Sequence, residues 1–422
     1  MERRRLNVCP SFPLNRSAVC EGVAGIPPHF LIFLLRFVIM LAILRDGNKR
    51  AILNQIIFIV VAGLIVYYLG NNLVENLNRL GISTGFGFLW EQSGYNIGGS
   101  LIPYNDYDSY GMAHVVGLLN TLLSTALIIA SASILGFVLG VMRMSPNPSL
   151  SNTIRYAIEL IRNIPSLVHI VIWFTLTLRL PKVRQSYNIN DTVFINNRGI
   201  NIPSPTFEPL MWLVTLVFFS LVIFAFIRRK RADKHMEITG EFRPTFLSNT
   251  IMIWGITGAL YFFLGGPIIW DYPTLKGFNF KGGIAMVPEL FAIWIALSIY
   301  FSTHVAELVR GGVQAVSSGQ FEAADALGVK RWITMRLIVI PQALRVIIPP
   351  LTNVYQNILK TTSLGVAIGF TEMTATTGGT TLNLTGQAVE CVLILMVSYG
   401  TISLLIAWVM NIINKQVAIV EW

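Results

Sequence analysis

Apolar residues in this chain are gathered into runs of roughly twenty, separated by short polar and basic segments. A run of that length crosses a hydrocarbon core of about 30 Å when helical. In lipid every backbone N–H and C=O must be paired within the protein, so these runs are predicted to be helices. Eight of them follow one another at 51–69, 116–141, 153–178, 208–227, 248–268, 287–306, 341–365 and 389–411. The pattern predicts an all-α, polytopic transmembrane helix bundle in a lipid bilayer. It divides at 46–115 (a first span and an outer segment), 116–178, 179–286 (with two extra spans) and 287–422.

Residues 1–45 fit less well. A charged start, Met1 to Arg5, is followed only at His29–Leu44 by an apolar stretch, which Arg36 interrupts. The stretch is short for a span, and no small-residue cleavage site follows it. Translation from Met40 is an equal alternative, and 1–45 is treated as a doubtful N-terminal extension.

Basic residues give the spans a direction. Arg45, Lys49 and Arg50, then Arg143 and Arg155, then the run Arg228-Arg-Lys-Arg231 with Lys234 all fall on one side, which is therefore cytoplasmic. The outer segment 366–388 holds no Lys or Arg, and 70–115 holds Arg79 alone. One loop disagrees: 179–207 carries Arg179, Lys182, Arg184 and Arg198, yet alternation puts it outside unless a span is miscounted.

Composition agrees with the spans: 54% of the residues are hydrophobic and 12% charged, against about 25% charged in a soluble domain. The net charge of +10 lies in short inter-span clusters, the pattern of cytoplasmic loops and not of a nucleic-acid-binding face. Cys9, Cys20 and Cys391 have no metal-ligand spacing. No Gly-x-x-x-x-Gly-Lys-Ser/Thr loop is present, nor a zincin spacing, nor a nucleophile elbow. Neither a bound metal nor catalysis by this chain is expected.

The most informative motif stands between the sixth and seventh spans, on the cytoplasmic side: Gly319-Gln-Phe-Glu-Ala-Ala-Asp-Ala-Leu-Gly328, then Ile338-Val-Ile-Pro341. A break at Ser317–Gly319 predicts a short helix with Glu322 in its first turn, where a carboxylate suits the dipole. Ala323, Ala324 and Ala326 would leave a smooth face for a partner. Gly328 would end the helix, and Pro341 would open the next span, where a missing N–H costs little. On physics alone an ordinary interfacial connector is the leading reading.

Glu-Ala-Ala, three residues, Gly, nine residues, Ile-x-x-Pro resembles the cytoplasmic loop of ABC importer permeases, with Ile340 where that pattern has leucine. Gly117–Leu122, Tyr156–Pro165, His304–Gly312 and Lys360–Leu364 narrow the resemblance to polar amino acid permeases. The likeness covers 116–178 and 287–415, the two parts of a permease core. Residues 179–286, and Gly81–Leu89, look like features of the longer subunits of general L-amino acid importers.

The resemblance implies that Glu322, Ala323, Ala324, Gly328 and Pro341 belong to a loop that docks on a separate ABC ATPase subunit. ATP and Mg would be held there, and this chain would bind no cofactor. It also implies a second permease subunit of a different, shorter kind, a periplasmic amino acid binding protein, and an inner-membrane location. An ion-coupled secondary amino acid transporter is the alternative; an uncoupler applied at constant ATP separates the two.

Charged residues near the spans are the pathway candidates. Glu159, Arg162 and Asn163 share one helix face, and Glu307 and Arg310 repeat the Glu-x-x-Arg spacing. Two readings stand equally. The groups either pair between helices as an inner gate or pair locally and snorkel to the cytoplasmic surface. Lys360 and Thr361 either line the pathway or serve the packing. His169 and His304 read as packed helix residues, Asn120 and Thr121 as interhelical hydrogen-bonders. Gly136 and Gly140, four apart, read as a close helix contact.

Overall fold

The computed structural model describes residues 47–79, 85–240 and 244–417. The expectations for 1–45, including a start at Met40, lie outside the described residues. The chain divides into two units, Met1–Ser83 and Thr84–Trp422. Among the described residues of the first, helix α1 (Gly47–Arg79) contains an apolar span at Arg50–Asn76. The ion pair of Glu75 with Arg79, 2.6 Å, closes its last turn.

The second unit holds the bundle. Its helices are α2 (Tyr110–Arg143), α3 (Pro148–Asn163), α4 (Ser166–Leu178), α5 (Met211–Thr239), α6 (Phe246–Phe263) and α7 (Pro288–Gln314). They continue with α8 (Ser318–Ala326), α9 (Arg331–Thr334), α10 (Ile340–Thr361), α11 (Leu382–Thr385) and α12 (Ala388–Val417). Among the described residues seven helices are long and apolar enough to cross a membrane, and the pair α3 and α4 would make an eighth.

That pair corrects the sequence reading, which ran one straight span through 153–178. The two helices meet at 98°. Pro165 has no N–H to continue α3, and Ile164 before it is extended, at φ −91° and ψ 126°. His169 repairs the break: its Nε2 donates to the carbonyl of Ile161 at 3.0 Å. The polar face of α3 is thereby separated from the apolar α4, whose 13 residues reach only about 20 Å.

The core sits where α2, α4, α7 and α10 meet, around Ile128, Ala132, Ile170, Ile293, Leu297 and Ile358, all buried. Helices α2 and α7 touch backbone to backbone. A Cβ on Gly136 would lie 2.7 Å from the carbonyl oxygen of Ser302, and one on Gly140 2.9 Å from that of Ala306. The close contact expected of the two glycines is present. Hydroxyls in the spans fold back on their own helix, as when Ser131 donates to Leu127 O and Ser133 to Ile129 O, so few polar groups face lipid.

A second difference concerns the start of the seventh span. Pro341 does not open it: α9, a π-helical turn at Met335–Val339 and α10 run on as one span, Arg331–Ile368. The wide turn lies just before the proline, where an α-helix would lack a bond and the ring would crowd the carbonyl four residues back.

The outer connections carry strands that the helical periodicity did not announce. In 179–207 and 264–287 these are β1 (Tyr187–Ile189), β2 (Val193–Asn196), β3 (Gly199–Ile202) and β4 (Ser204–Phe207), then β5 (Ile268–Asp271), β6 (Thr274–Lys276), β7 (Asn279–Lys281) and β8 (Ile284–Met286). They form an antiparallel sheet in the order β1-β2-β3-β8 and two antiparallel pairs, β4-β5 and β6-β7. Gly199, at φ +110°, fits because a Cβ there would lie 1.9 Å from Met286 O.

These strands share an end of the bundle with 85–109 and 369–387. Gly99 abuts Val287, which caps α7, and Thr371 Oγ1 donates to Gly98 O at 2.9 Å. The basic loop 179–207 therefore lies with the outer segments.

Candidate functional site

The cytoplasmic loop is built as a short exposed helix anchored from beneath. Helix α8 begins at Ser318, so Glu322 sits in the second turn and not the first. It ends in a Schellman arrangement: Gly328 N–H donates to Asp325 O at 3.0 Å and Val329 N–H to Ala324 O at 3.0 Å. Gly328 takes φ +66°, the left-handed conformation that glycine adopts without a Cβ penalty. Glu322, Ala323 and Ala326 are exposed, and Leu327 stands out in water, 81% exposed. Ala324 corrects the smooth-face reading, for it points inward and is buried.

The inward side of α8 is joined to two spans. Phe321 packs into a cluster with Val316, Val339, Ala343 and Ile347, flanked by Leu308, Val313 and Met335. A movement of α8 must therefore displace α7 and α10, because packed interiors do not deform freely. Beside it an apolar cleft of about 800 Å³ opens, lined by Phe137, Val309, Phe321, Met335 and Leu344 among others.

Ionisable groups gather at the same end. Glu307 on α7 pairs with Arg143, the last residue of α2, and with Arg310 one turn on, at 3.1 Å. Arg143 had entered the sequence reading only as a loop charge. Glu159 pairs within its own helix, with Arg155 at 2.9 Å, and both are exposed. Arg162 and Asn163 are exposed on α3, with no hydrogen bond or ion pair to another described residue.

Helix α10 carries the other candidates. Lys360 is exposed, and Asn353 and Asn357 lie on the same exposed face, at the four- and three-residue steps of one stripe. None of the three side chains has a hydrogen-bond partner among the described residues. Thr361 is half-buried and donates to Asn357 O at 2.7 Å.

Sequence reasoning missed the polar cluster behind the outer segment 369–387. Glu372 is fully buried; its Oε1 accepts from Ala375 N–H and its Oε2 from the Tyr399 hydroxyl, each at 2.9 Å. Burial pushes its carboxyl above the ordinary range, though the hydrogen bonds oppose this. His114 bridges Thr377 and Ser398 at 2.8 and 3.1 Å.

Asn120 and Thr121 bind the same segment from α2: Asn120 donates to Thr371 O, and Thr121 Oγ1 accepts from Met373 N–H at the start of the helical turns Thr374–Thr381. Tyr95, whose hydroxyl burial pushes up to about 12, meets Thr381 Oγ1 at 3.1 Å. The available signal was one carboxylate in a Thr- and Gly-rich stretch without other charges.

Comparison with known proteins agrees with this geometry. Residues 132–419 match the family described as "Binding-protein-dependent transport system inner membrane component". The chain is 44% identical over 383 residues to "Putative amino-acid ABC transporter permease protein YhdX" of Escherichia coli (strain K12), covering 89% of this chain and 96% of that one. It is 38% identical over 377 residues to "General L-amino acid transport system permease protein AapQ" of Rhizobium johnstonii, covering 89% and 94%. It is 35% identical over 413 residues to "Glutamate/glutamine/aspartate/asparagine transport system permease protein BztB" of Rhodobacter capsulatus, covering 90% and 96%.

Proposed function

The chain belongs to the binding-protein-dependent transport system inner membrane components, and from that premise we propose that it is the membrane-spanning permease subunit of an ATP-binding-cassette importer for amino acids. Relatives named for amino acid transport support the substrate class. The observation that carries the mechanism is the position of α8, with Glu322, Ala323 and Leu327 turned outward and Phe321 wedged between α7 and α10.

A separate ATPase subunit, holding ATP and Mg, docks on α8 and Gly328. When it changes shape on hydrolysis, Phe321 carries the movement into both spans. Such coupling requires contacts that differ between two states, and α8 supplies the contact surface.

The stripe of Asn353, Asn357 and Lys360 supports a pathway at a subunit boundary. Unpaired polar groups facing lipid are costly, about 2.5–3.5 kcal/mol for a lysine at mid-membrane. A second permease subunit covers this face, and the stripe, with Thr361, lines the route between the two. Toward the cytoplasm, Glu307 with Arg143 and Arg310 forms the inner closure, and Glu159, Arg162 and Asn163 extend its polar rim. The amino acid is delivered from outside by a binding protein.

The test is a paired measurement on Gly328→Asp in cells lacking the native gene. The substitution strains the left-handed turn by about 1 kcal/mol and puts a charge at the docking surface, while leaving the spans alone. Normal membrane abundance with uptake of radiolabelled L-amino acids abolished is expected. Normal abundance with normal uptake would reduce the loop to a connector and remove the main support.

A further inference from the structure

The outer loop that breaks the charge rule is half of a larger feature. Pairing β3 with β8 brings 179–207 and 264–287 together, and with them Arg179, Lys182, Arg184, Arg198, Lys276 and Lys281, all exposed. The other outer segments, 85–109 and 369–387, contain no Lys or Arg at all.

The two carboxylates of the module are already engaged within it. Asp191 accepts from the Asn188 side chain, and Asp271 Oδ2 accepts from Gly283 N–H at 3.0 Å. Arg184 lies over the Phe278 ring at 4.6 Å. Arg179, Lys182, Lys276 and Lys281 have no ion-pair partner among the described residues. An excess of positive charge is thus held on the face where such chains are usually depleted of it.

The module is also shaped. The turn from β1 to β2 spans residues 190–192 and uses Asn190 and Asp191 at φ 52° and 54°, the left-handed region that hairpin turns matched to strand twist draw on. Behind it lies a notch of about 220 Å³ lined by Asn196, Arg198, Asn201 and Asn279. Asn196 donates to Ser186 Oγ, and Arg198 to Asn279. Asn201 is only 9% exposed and its side chain has no hydrogen-bond partner among the described residues. A guanidinium beside free amide N–H groups is a donor set for a planar carboxylate.

We propose that this β-module is the docking surface for the acidic face of the extracytoplasmic solute-binding protein, with Arg198 and Asn201 receiving one of its carboxylates in the notch. This rests on the importer reading above. Long-range attraction between a basic and an acidic face speeds encounter and orients the partner. Positive charge otherwise disfavoured outside is thereby explained, as is its concentration in one folded module instead of along a loose loop.

The probe is the solute-binding protein that restores amino acid uptake to proteoliposomes of the purified transporter. Its Kd is measured on the whole transporter in phosphatidylcholine nanodiscs, at salt from about 0.05 to 0.3 M, where screening tightens. The K182E/R184E/K276E/K281E variant is expected to weaken binding at least about tenfold at low salt and to flatten its salt dependence. Basal ATP hydrolysis should be unchanged. Asn201→Ala should weaken binding without altering the salt dependence.

If the fourfold variant fails to assemble, K276Q/K281Q, confined to β6 and β7, should still weaken binding severalfold. Unchanged Kd in assembled variants overturns the inference. So does a loss seen only in phosphatidylglycerol nanodiscs, which would assign the cations to lipid. A wild-type transporter that no binding protein engages would instead count against the importer reading.

Discussion

Arg143 and Glu307 tie the cytoplasmic ends of α2 and α7 together by an ion pair whose side chains are only 14% and 20% exposed. Arg310 shares the same carboxylate, so one anion holds two cations. Glu307→Ala leaves both guanidinium groups facing each other without their acceptor. The expected loss is about 1–3 kcal/mol, the cost of a buried polar group left short of a partner. Thermal unfolding of the solubilised protein measures it, and R143E/E307R should recover part of the loss. Equal stability of the wild type and both variants would show the pair to be incidental.

Gly136→Val should be among the most damaging single changes in the spans. Its Cβ would lie 2.4 Å from the Cβ of Val305 and 2.7 Å from a backbone oxygen, so α2 and α7 must separate. Overpacking of this kind costs about 1–3 kcal/mol, and membrane abundance should fall. Gly311→Ala, on the same α7 but with nothing within 4 Å of the added carbon, should leave abundance unchanged or raise it.

Glu372 makes stability depend on pH in a direction opposite to that of a salt-bridged carboxylate. Burial raises its pKa in the folded state, so the folded protein keeps the proton longer than the unfolded chain does. Unfolding free energy then falls as pH rises between the ordinary carboxylate value and the raised one, and is level above it. Glu372→Gln should remove that slope. Melting curves from about pH 4 to about pH 8 decide it; an identical slope in the variant would mean the carboxylate titrates normally.

Lys360→Met keeps most of the side-chain volume and removes the charge from the exposed stripe of α10. Because Lys360 has no partner among the described residues, stability should change by less than about 0.5 kcal/mol, while uptake drops severalfold. Abundance and radiolabelled uptake, measured on the same membranes, separate these effects. Lost abundance with proportionally lost uptake would make Lys360 a packing residue.

Much of this protein is fixed by local rules and is readable from the chain. Lipid forbids unpaired backbone, so each apolar run of about twenty residues had to be a helix, and basic clusters gave the direction. Gly328 was legible as a helix terminator because only the backbone at that position matters. Gly136 and Gly140 were legible because a four-residue step fixes a common face.

Tertiary structure decided whatever depends on who stands opposite. Pro165 is visible in the sequence, but whether it ends a helix, as here at 98°, or merely kinks it depends on a donor such as His169 being in place for the freed carbonyl. Pro341 reads as a helix start, yet a π turn absorbs its missing bond and lets the span run on from Arg331. The partner of Glu307 was sought among the Glu-x-x-Arg groups, and the second cation proved to be Arg143, brought close by the glycine contact of two parallel spans. The β-module is the clearest case. Its strands are three or four residues long, too short to declare a period of two, and β3 and β8 lie on opposite sides of two whole spans in the sequence. Pairing across such a distance is a property of the folded bundle, and no local pattern encodes it.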